Sequence, residues 1–122
     1  MPSHKMLFVD DNELNRMVME DMLEIIFPDT TIEVYESAKE VLALEIDSYD
    51  LILSDIDMPD IDGFRLHDML RQEHNYTKPI IAVTALAVSG DKEKILMHGF
   101  DDYISKPIDM DYLETIVKKY IN

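Results

Sequence analysis

The sequence predicts an α/β protein, a doubly wound five-stranded parallel sheet with helices on both faces. Three observations predict it. Short apolar runs recur along the chain between turn formers, as expected of strands buried on both faces. Segments with helical apolar spacing alternate with them. Four of the runs end on polar residues: MLFV on Asp10 and Asp11, LILS on Asp55, PIIAV on Thr84, and YIS on Lys106 and Pro107. In open parallel sheets the binding site lies beyond the carboxyl ends of the strands. Three carboxylates, a hydroxyl and an ammonium are therefore expected at one edge.

Residues 5–10 read as the first strand. A helix follows from about Asn12, which can cap it, with Leu14, Val18, Met22, Ile25 and Ile26 as its apolar face and Pro28-Asp29 as its end. Residues 31–35 (TIEVY) alternate polar and apolar, which suits a strand at a sheet edge. Ser37 and Glu40 match a capping box that opens a second helix through about Leu44. Residues 50–54 form the third strand, and the loop IDMPDIDG leads into a helix from about Phe64 to Glu73. Residues 79–83 form the fourth strand. A helix over about 90–98 follows, with Gly90 near its start and Gly99 as its stop. Residues 102–105 form a short fifth strand, and Asp109 can cap a last helix with Leu113, Ile116, Val117 and Tyr120 on its apolar face. The first, third and fourth strands are the most apolar and should be central. Right-handed crossovers then favour the flavodoxin-like order 2-1-3-4-5. The last helix ends at the C-terminus, so residues 1–122 are expected to be one domain with no effector domain.

Composition narrows the function. A chain of 122 residues buries roughly two thirds of its unfolded surface and needs no staple to fold. The absence of cysteine excludes thiol catalysis, disulfides and cysteine-ligated zinc, and it fits a reducing compartment. No apolar stretch has the length of a membrane span and no signal peptide is evident, so a cytoplasmic protein without membrane insertion is expected. Lys and Arg total 11 against 26 Asp and Glu, a formal charge of -15, which repels a phosphate backbone and argues against direct nucleic-acid binding. The nine methionines read as core filler. His4, His67, His74 and His98 lack ligand spacing with one another, so no metal site is expected among them.

Asp10, Asp11 and Asp55 should converge at adjacent strand ends. Close carboxylates repel unless a counter-charge intervenes. A hard divalent cation removes the repulsion, and Mg2+ (or Mn2+) favours such oxygen ligands. Asp55 is the best nucleophile candidate, because a carboxylate can form an acyl phosphate and so divide a transfer into two steps. The Lys106 ammonium can neutralise one phosphoryl oxygen as a point charge, and the Thr84 hydroxyl can donate to another. The Lys106-Pro107 bond can set a tight turn and is of the type that adopts cis.

The pattern VDDN, SDIDMPDIDG, TALA and SKP resembles the receiver domain of two-component response regulators, including chemotaxis regulators, over nearly the whole chain. By that resemblance Asp55 is the phosphoacceptor. Asp11 and the backbone carbonyl of Asp57 bind Mg2+ with Asp55, and Asp10 supports the metal. Lys106 and Thr84 contact the phosphoryl group, Ala85 permits access to it, and Thr84 with Tyr103 forms the switch. Pro59 and Gly63 fit the loop after the acceptor, and Pro107 the turn after the lysine. Asp57 and Leu86 occupy positions that tune phosphoryl lifetime. The resemblance implies a histidine kinase or histidine phosphotransfer protein as donor. It also implies a downstream target reached through the fourth helix, fifth strand and last helix, and a monomer or weak dimer. A phosphorelay intermediate is the alternative, with the first helix as a docking face. Asp55-Ile56-Asp57 also resembles the signature of haloacid-dehalogenase phosphatases, with Asp101 and Asp102 as metal acids. That signature should follow the first strand, however, and here it follows the third.

Overall fold

The computed structural model describes residues 4–85 and 91–121. Five strands, β1 (Lys5–Val9), β2 (Thr31–Tyr35), β3 (Leu51–Asp55), β4 (Ile80–Thr84) and β5 (Asp102–Ser105), pair in parallel in the order β2-β1-β3-β4-β5. The helices are α1 (Glu13–Ile26), α2 (Ala38–Leu42), α3 (Gly63–Gln72), α4 (Asp91–His98) and α5 (Met110–Lys118). The expected flavodoxin-like sheet is present, with strand boundaries within a residue of those read from sequence.

The two-residue period of the strands divides the core. Leu7 and Val9 of β1 face the layer of α2, α3 and α4, where Val41, Leu66, Leu70 and Ile95 are buried. Met6 and Phe8 face the layer of α1 and α5, where Met19, Leu23, Leu113, Ile116 and Val117 are buried. Every residue of β3 and β4 is buried, as central strands require, while β2 is only partly buried at its edge.

Local chemistry sets the helix ends. Asn12, Ser37, Asp62 and Asp109 each accept a hydrogen bond from the backbone N–H three residues on, satisfying a donor the helix leaves open. The Glu40 carboxylate returns to Ser37 Oγ and to the N–H of Glu36, a variant of the expected box. The α2 helix stops at Leu42, two residues short of the expected end, and a 3-10 turn over Ile46–Ser48 follows. Gly99 ends α4 with φ +126°, a left-handed conformation that favours glycine. Gly90 and Leu86 lie outside the described residues.

The apolar face expected for α1 needs correction. Met19 and Leu23 are the residues that reach the core, whereas Leu14 is 67% exposed and Ile25 68% exposed, with Met17 and Val18 also at the surface. The helix carries apolar residues on two stripes, and spacing alone does not say which stripe the sheet takes. The sheet takes the stripe through Met19, Leu23 and the partly buried Met22 and Ile26. Met6 and Met19 fill core while Met17 and Met97 are exposed, so the methionines are not uniformly filler. No helix among the described residues is long and apolar enough to cross a membrane.

Candidate functional site at the carboxyl edge of the sheet

Parallel strands deliver their last residues to one edge. Asp10 and Asp11 directly follow β1, Asp55 ends β3, Thr84 ends β4 and Lys106 directly follows β5. Asp10, Asp55 and Thr84 are buried, and Asp11 is exposed. One carboxylate oxygen from each of Asp10, Asp11 and Asp55 lies within 4.8 Å of the others. The Lys106 ammonium stands between two of them, donating to Asp10 Oδ2 at 2.8 Å and to Asp55 Oδ1 at 3.2 Å.

Backbone bonds hold these groups in place. The Asp10 N–H donates to the Tyr35 carbonyl at 3.1 Å, and Asp10 Oδ1 accepts from the Asn12 N–H at 2.9 Å. Arg16 donates to the Asp10 carbonyl at 2.8 Å, fastening α1 to the end of β1. Asp55 Oδ1 accepts from the Ile56 N–H at 2.9 Å, and the Ile56 carbonyl accepts from the Gly63 N–H at 2.8 Å. Gly63 suits that position, because an added Cβ would meet the Asp55 carbonyl oxygen and stand 2.8 Å from Ile56 Cα, forcing the backbone to shift. Lys106 is registered by its own N–H, which donates to the Thr84 carbonyl at 2.8 Å. The Lys106-Pro107 bond is cis.

The electrostatics follow from this geometry. Burial, then the neighbouring Asp10 charge, pushes the Asp55 carboxyl up to about 6, against the pull of Lys106. Burial pushes the Lys106 ammonium down, but its hydrogen bond to Asp10 and the charges of Asp55 and Asp10 outweigh that and leave it raised. Three carboxylates against one ammonium leave the edge net negative. Oxygen-only donors at this spacing fit a hard divalent cation of the Mg2+ or Mn2+ kind.

The other expected residues sit around this centre. The Asp57 side chain and Ala85 are exposed beside it, and Asp57 follows the Ile56 anchor. Pro59 lies in the exposed loop between β3 and α3, where Asp60 takes φ 66°. Tyr103 is half-buried on β5, with Lys92 Nζ of α4 5.3 Å from its ring centre. Asp101 and Asp102 lie at the opposite end of β5 from Lys106. There Asp101 Oδ2 accepts from the Ile80 N–H at 2.8 Å and from Arg71 at 3.0 Å. They cannot serve as metal acids for this edge.

The sequence placed the first helix beside the strand ends but not which of its residues face outward there, and it missed one cluster elsewhere. The outward stripe of α1 borders the site: Leu14, Asn15 and Val18 line a groove of about 180 Å³ with Lys106, Pro107 and Ile108. Away from this edge, His67 and His98 come together with Asp68, a grouping that the sequence spacing of the histidines does not reveal. No spacing signal could show this, because the residues lie on two helices whose packing brings them into contact.

The chain matches the response regulator receiver domain model over residues 6–118. It is 39% identical over 118 residues to the signal transduction histidine-protein kinase BarA of Escherichia coli K12, covering 92% of this chain and 12% of that protein. It is 37% identical over 122 residues to hybrid signal transduction histidine kinase L of Dictyostelium discoideum, covering 95% of this chain and 7% of that protein. The chain thus spans only a small part of these curated relatives. Among solved structures, the receiver domain of sensor histidine kinase PA1611 of Pseudomonas aeruginosa PAO1 superposes with a TM-score of 0.84 at 34% identity, covering 98% of each chain. That structure holds a magnesium ion coordinated in its active-site cleft. This chain belongs to the response regulator receiver domain family, a phosphoacceptor switch of two-component signalling and not a turnover enzyme.

Proposed function

We propose that this domain is a phosphorelay receiver, in which Asp55 takes a phosphoryl group from a phosphohistidine and passes it to the histidine of a phosphotransfer protein. The observation that carries the reading is the Lys106 ammonium 3.2 Å from the Asp55 carboxylate, at the end of a fully buried strand. In the transfer an Asp55 oxygen forms the new P–O bond as the P–N bond of the donor breaks, and the departing imidazole keeps its electron pair. Asp11, Asp55 and the Asp57 carbonyl would hold Mg2+, with Asp10 supporting it. The bound ion would neutralise carboxylate and phosphoryl charge. Lys106 would release its hold on the bare Asp55 carboxylate to meet a phosphoryl oxygen, while keeping Asp10 as its partner. Thr84 would donate to a second oxygen, and the small Ala85 leaves the approach open.

Two observations favour a relay over a free-standing output regulator. The two relatives named above, at 39% and 37% identity, are histidine kinases, one of them named as hybrid. The exposed stripe of α1 also supplies an apolar docking face contiguous with the chemistry. The family match over residues 6–118 accounts for nearly all of the chain, which supports reading residues 1–122 as one receiver unit.

A second reading concerns output through α4, β5 and α5. Phosphorylation would favour a pre-existing state in which Thr84 moves inward and Tyr103 turns toward the space it leaves. The half-buried Tyr103 under Lys92 supports this, since its ring has one side in the core and one at the surface. The relay is tested by transfer kinetics. Label on Asp55 should pass rapidly to a histidine phosphotransfer protein, and Leu14→Asp should slow that passage far more than it slows uptake from acetyl phosphate. Label that stays on Asp55 against every phosphotransfer protein offered, and decays only to inorganic phosphate, would favour output through α4, β5 and α5.

A further inference from the structure

We propose that His67, Asp68 and His98 form a binding site for one divalent transition metal ion of the zinc, nickel or copper kind, joining the end of α4 to α3. His67 and Asp68 are neighbours on α3, and His98 is the last residue of α4. Asp68 Oδ1 lies 2.9 Å from His98 Nε2 and 3.3 Å from His67 Nδ1, and one ligand atom from each residue lies within 4.8 Å of the others. Ligand atoms about 2.0–2.1 Å from a tetrahedral zinc stand about 3.3 Å apart. Two edges of the triangle are therefore close to that value already.

The donor set points to the metal. Two imidazole nitrogens and one carboxylate oxygen suit zinc, nickel or copper. They do not suit Mg2+, which takes oxygen ligands. The domain would thus hold two ions of different chemistry at separate places.

His67 is the buried member of the set. Its side chain is only 6% exposed, and its Nε2 is buried with no hydrogen-bond partner among the described residues. Burying an imidazole this way costs stability. Contact with Phe100, whose ring centre is 4.7 Å away, would be served as well by an apolar side chain. The nitrogen offered to the ion is not Nε2 but the other one, Nδ1, which faces Asp68 Oδ1 at 3.3 Å. Gly99 permits the close approach, since a Cβ there would stand 3.0 Å from His67 Cε1. Phe64 lies 4.8 Å from the His98 ring and walls one side, as apolar shells around metal ligands do. Asp68 and His98 are 45% and 29% exposed, leaving the other side open for ion entry and a water as fourth ligand.

The test uses the tag-free chain in saturating Mg2+, titrated with Co2+ as an optical probe and then with Zn2+. One Co2+ per chain should bind with the intense visible bands of four-coordinate ligation, and one equivalent of Zn2+ should displace it. His98→Ala and Asp68→Asn, both at exposed positions, should each weaken binding by more than the roughly 10–100-fold that loss of an outer-shell partner costs. His74→Ala should leave it unchanged. Zn2+ should slow amide exchange at the end of α4. Co2+ binding that survives His98→Ala, or that is lost in Asp11→Asn instead, would overturn the assignment. Exchange in α4 indifferent to Zn2+ would overturn the joining of the two helices. Phosphoryl uptake at Asp55 plays no part in these readouts, so this inference fails separately from the relay.

Discussion

The carboxyl edge of the sheet and the His67–Asp68–His98 cluster hold charged groups by different means. Asp10 and Asp55 are carried by buried strands, and backbone N–H groups fix both carboxylates before any partner side chain arrives. Burial there keeps Asp55 under electrostatic tension, which Lys106 only partly relieves. The histidine cluster instead hangs from two helices, and the contact between them is made by side chains around a half-exposed Asp68. A strand-end site is preformed and costly. A helix-to-helix site is held by side-chain contacts alone.

Experiments can strain this contrast, beginning with the largest effect. With acetyl phosphate and Mg2+, the native chain should gain one phosphoryl group by intact mass, Asp55→Asn none, and His98→Ala the same as native. An undiminished adduct on Asp55→Asn would break the assignment of the strand-end site.

Lys106→Met should come next. It strands two buried carboxylates without their cation, and breaking a buried pair typically costs about 3–5 kcal/mol. Thermal melts should show that loss, with part of it restored by Mg2+. Asp68→Asn removes a half-exposed pair and should cost under about 1 kcal/mol. Equal losses would mean that both sites are equally preformed.

The pH dependence gives a third measure. The Asp55 carboxyl rises from 3.8 to about 6 on folding. Between those values the folded chain holds the proton more tightly than the unfolded chain does. Relative to the unfolded chain, the Asp55 carboxyl therefore contributes stability that is fully present below about pH 4 and lost as pH rises through about 6. Asp55→Asn should flatten that slope in denaturant titrations and stabilise the domain at neutral pH. A slope unchanged by the substitution would place the tension elsewhere. A last and more local effect concerns backbone space. Gly63→Ala should destabilise by about 1–3 kcal/mol, because its Cβ would meet the rigid backbone after β3. A neutral outcome would show that the loop behind Asp55 yields more than a preformed site allows.

How much could be read beforehand follows from the same contrast. Asp10, Asp11, Asp55, Thr84 and Lys106 were legible because each stands where an apolar run stops, and a parallel sheet aligns such stops. The caps at Asn12, Ser37 and Asp109 were legible because a cap is local chemistry. The core face of α1 was not. Leu14, Val18 and Ile25 repeat as helically as Met19 and Leu23 do, and only packing against the sheet separates them. The meeting of His67 with His98 depends on how α4 settles on α3, a distance and angle that no local pattern encodes.

The Lys106 bridge to Asp10 spans 96 positions of the chain. During synthesis Asp10 therefore emerges 96 residues before the ammonium that will pair with it. Until β5 docks against β4, Lys106 is not in place between the two buried carboxylates. A version of the domain cut before Lys106 would keep Asp10, Asp11 and Asp55 and lose the ammonium that offsets two of them.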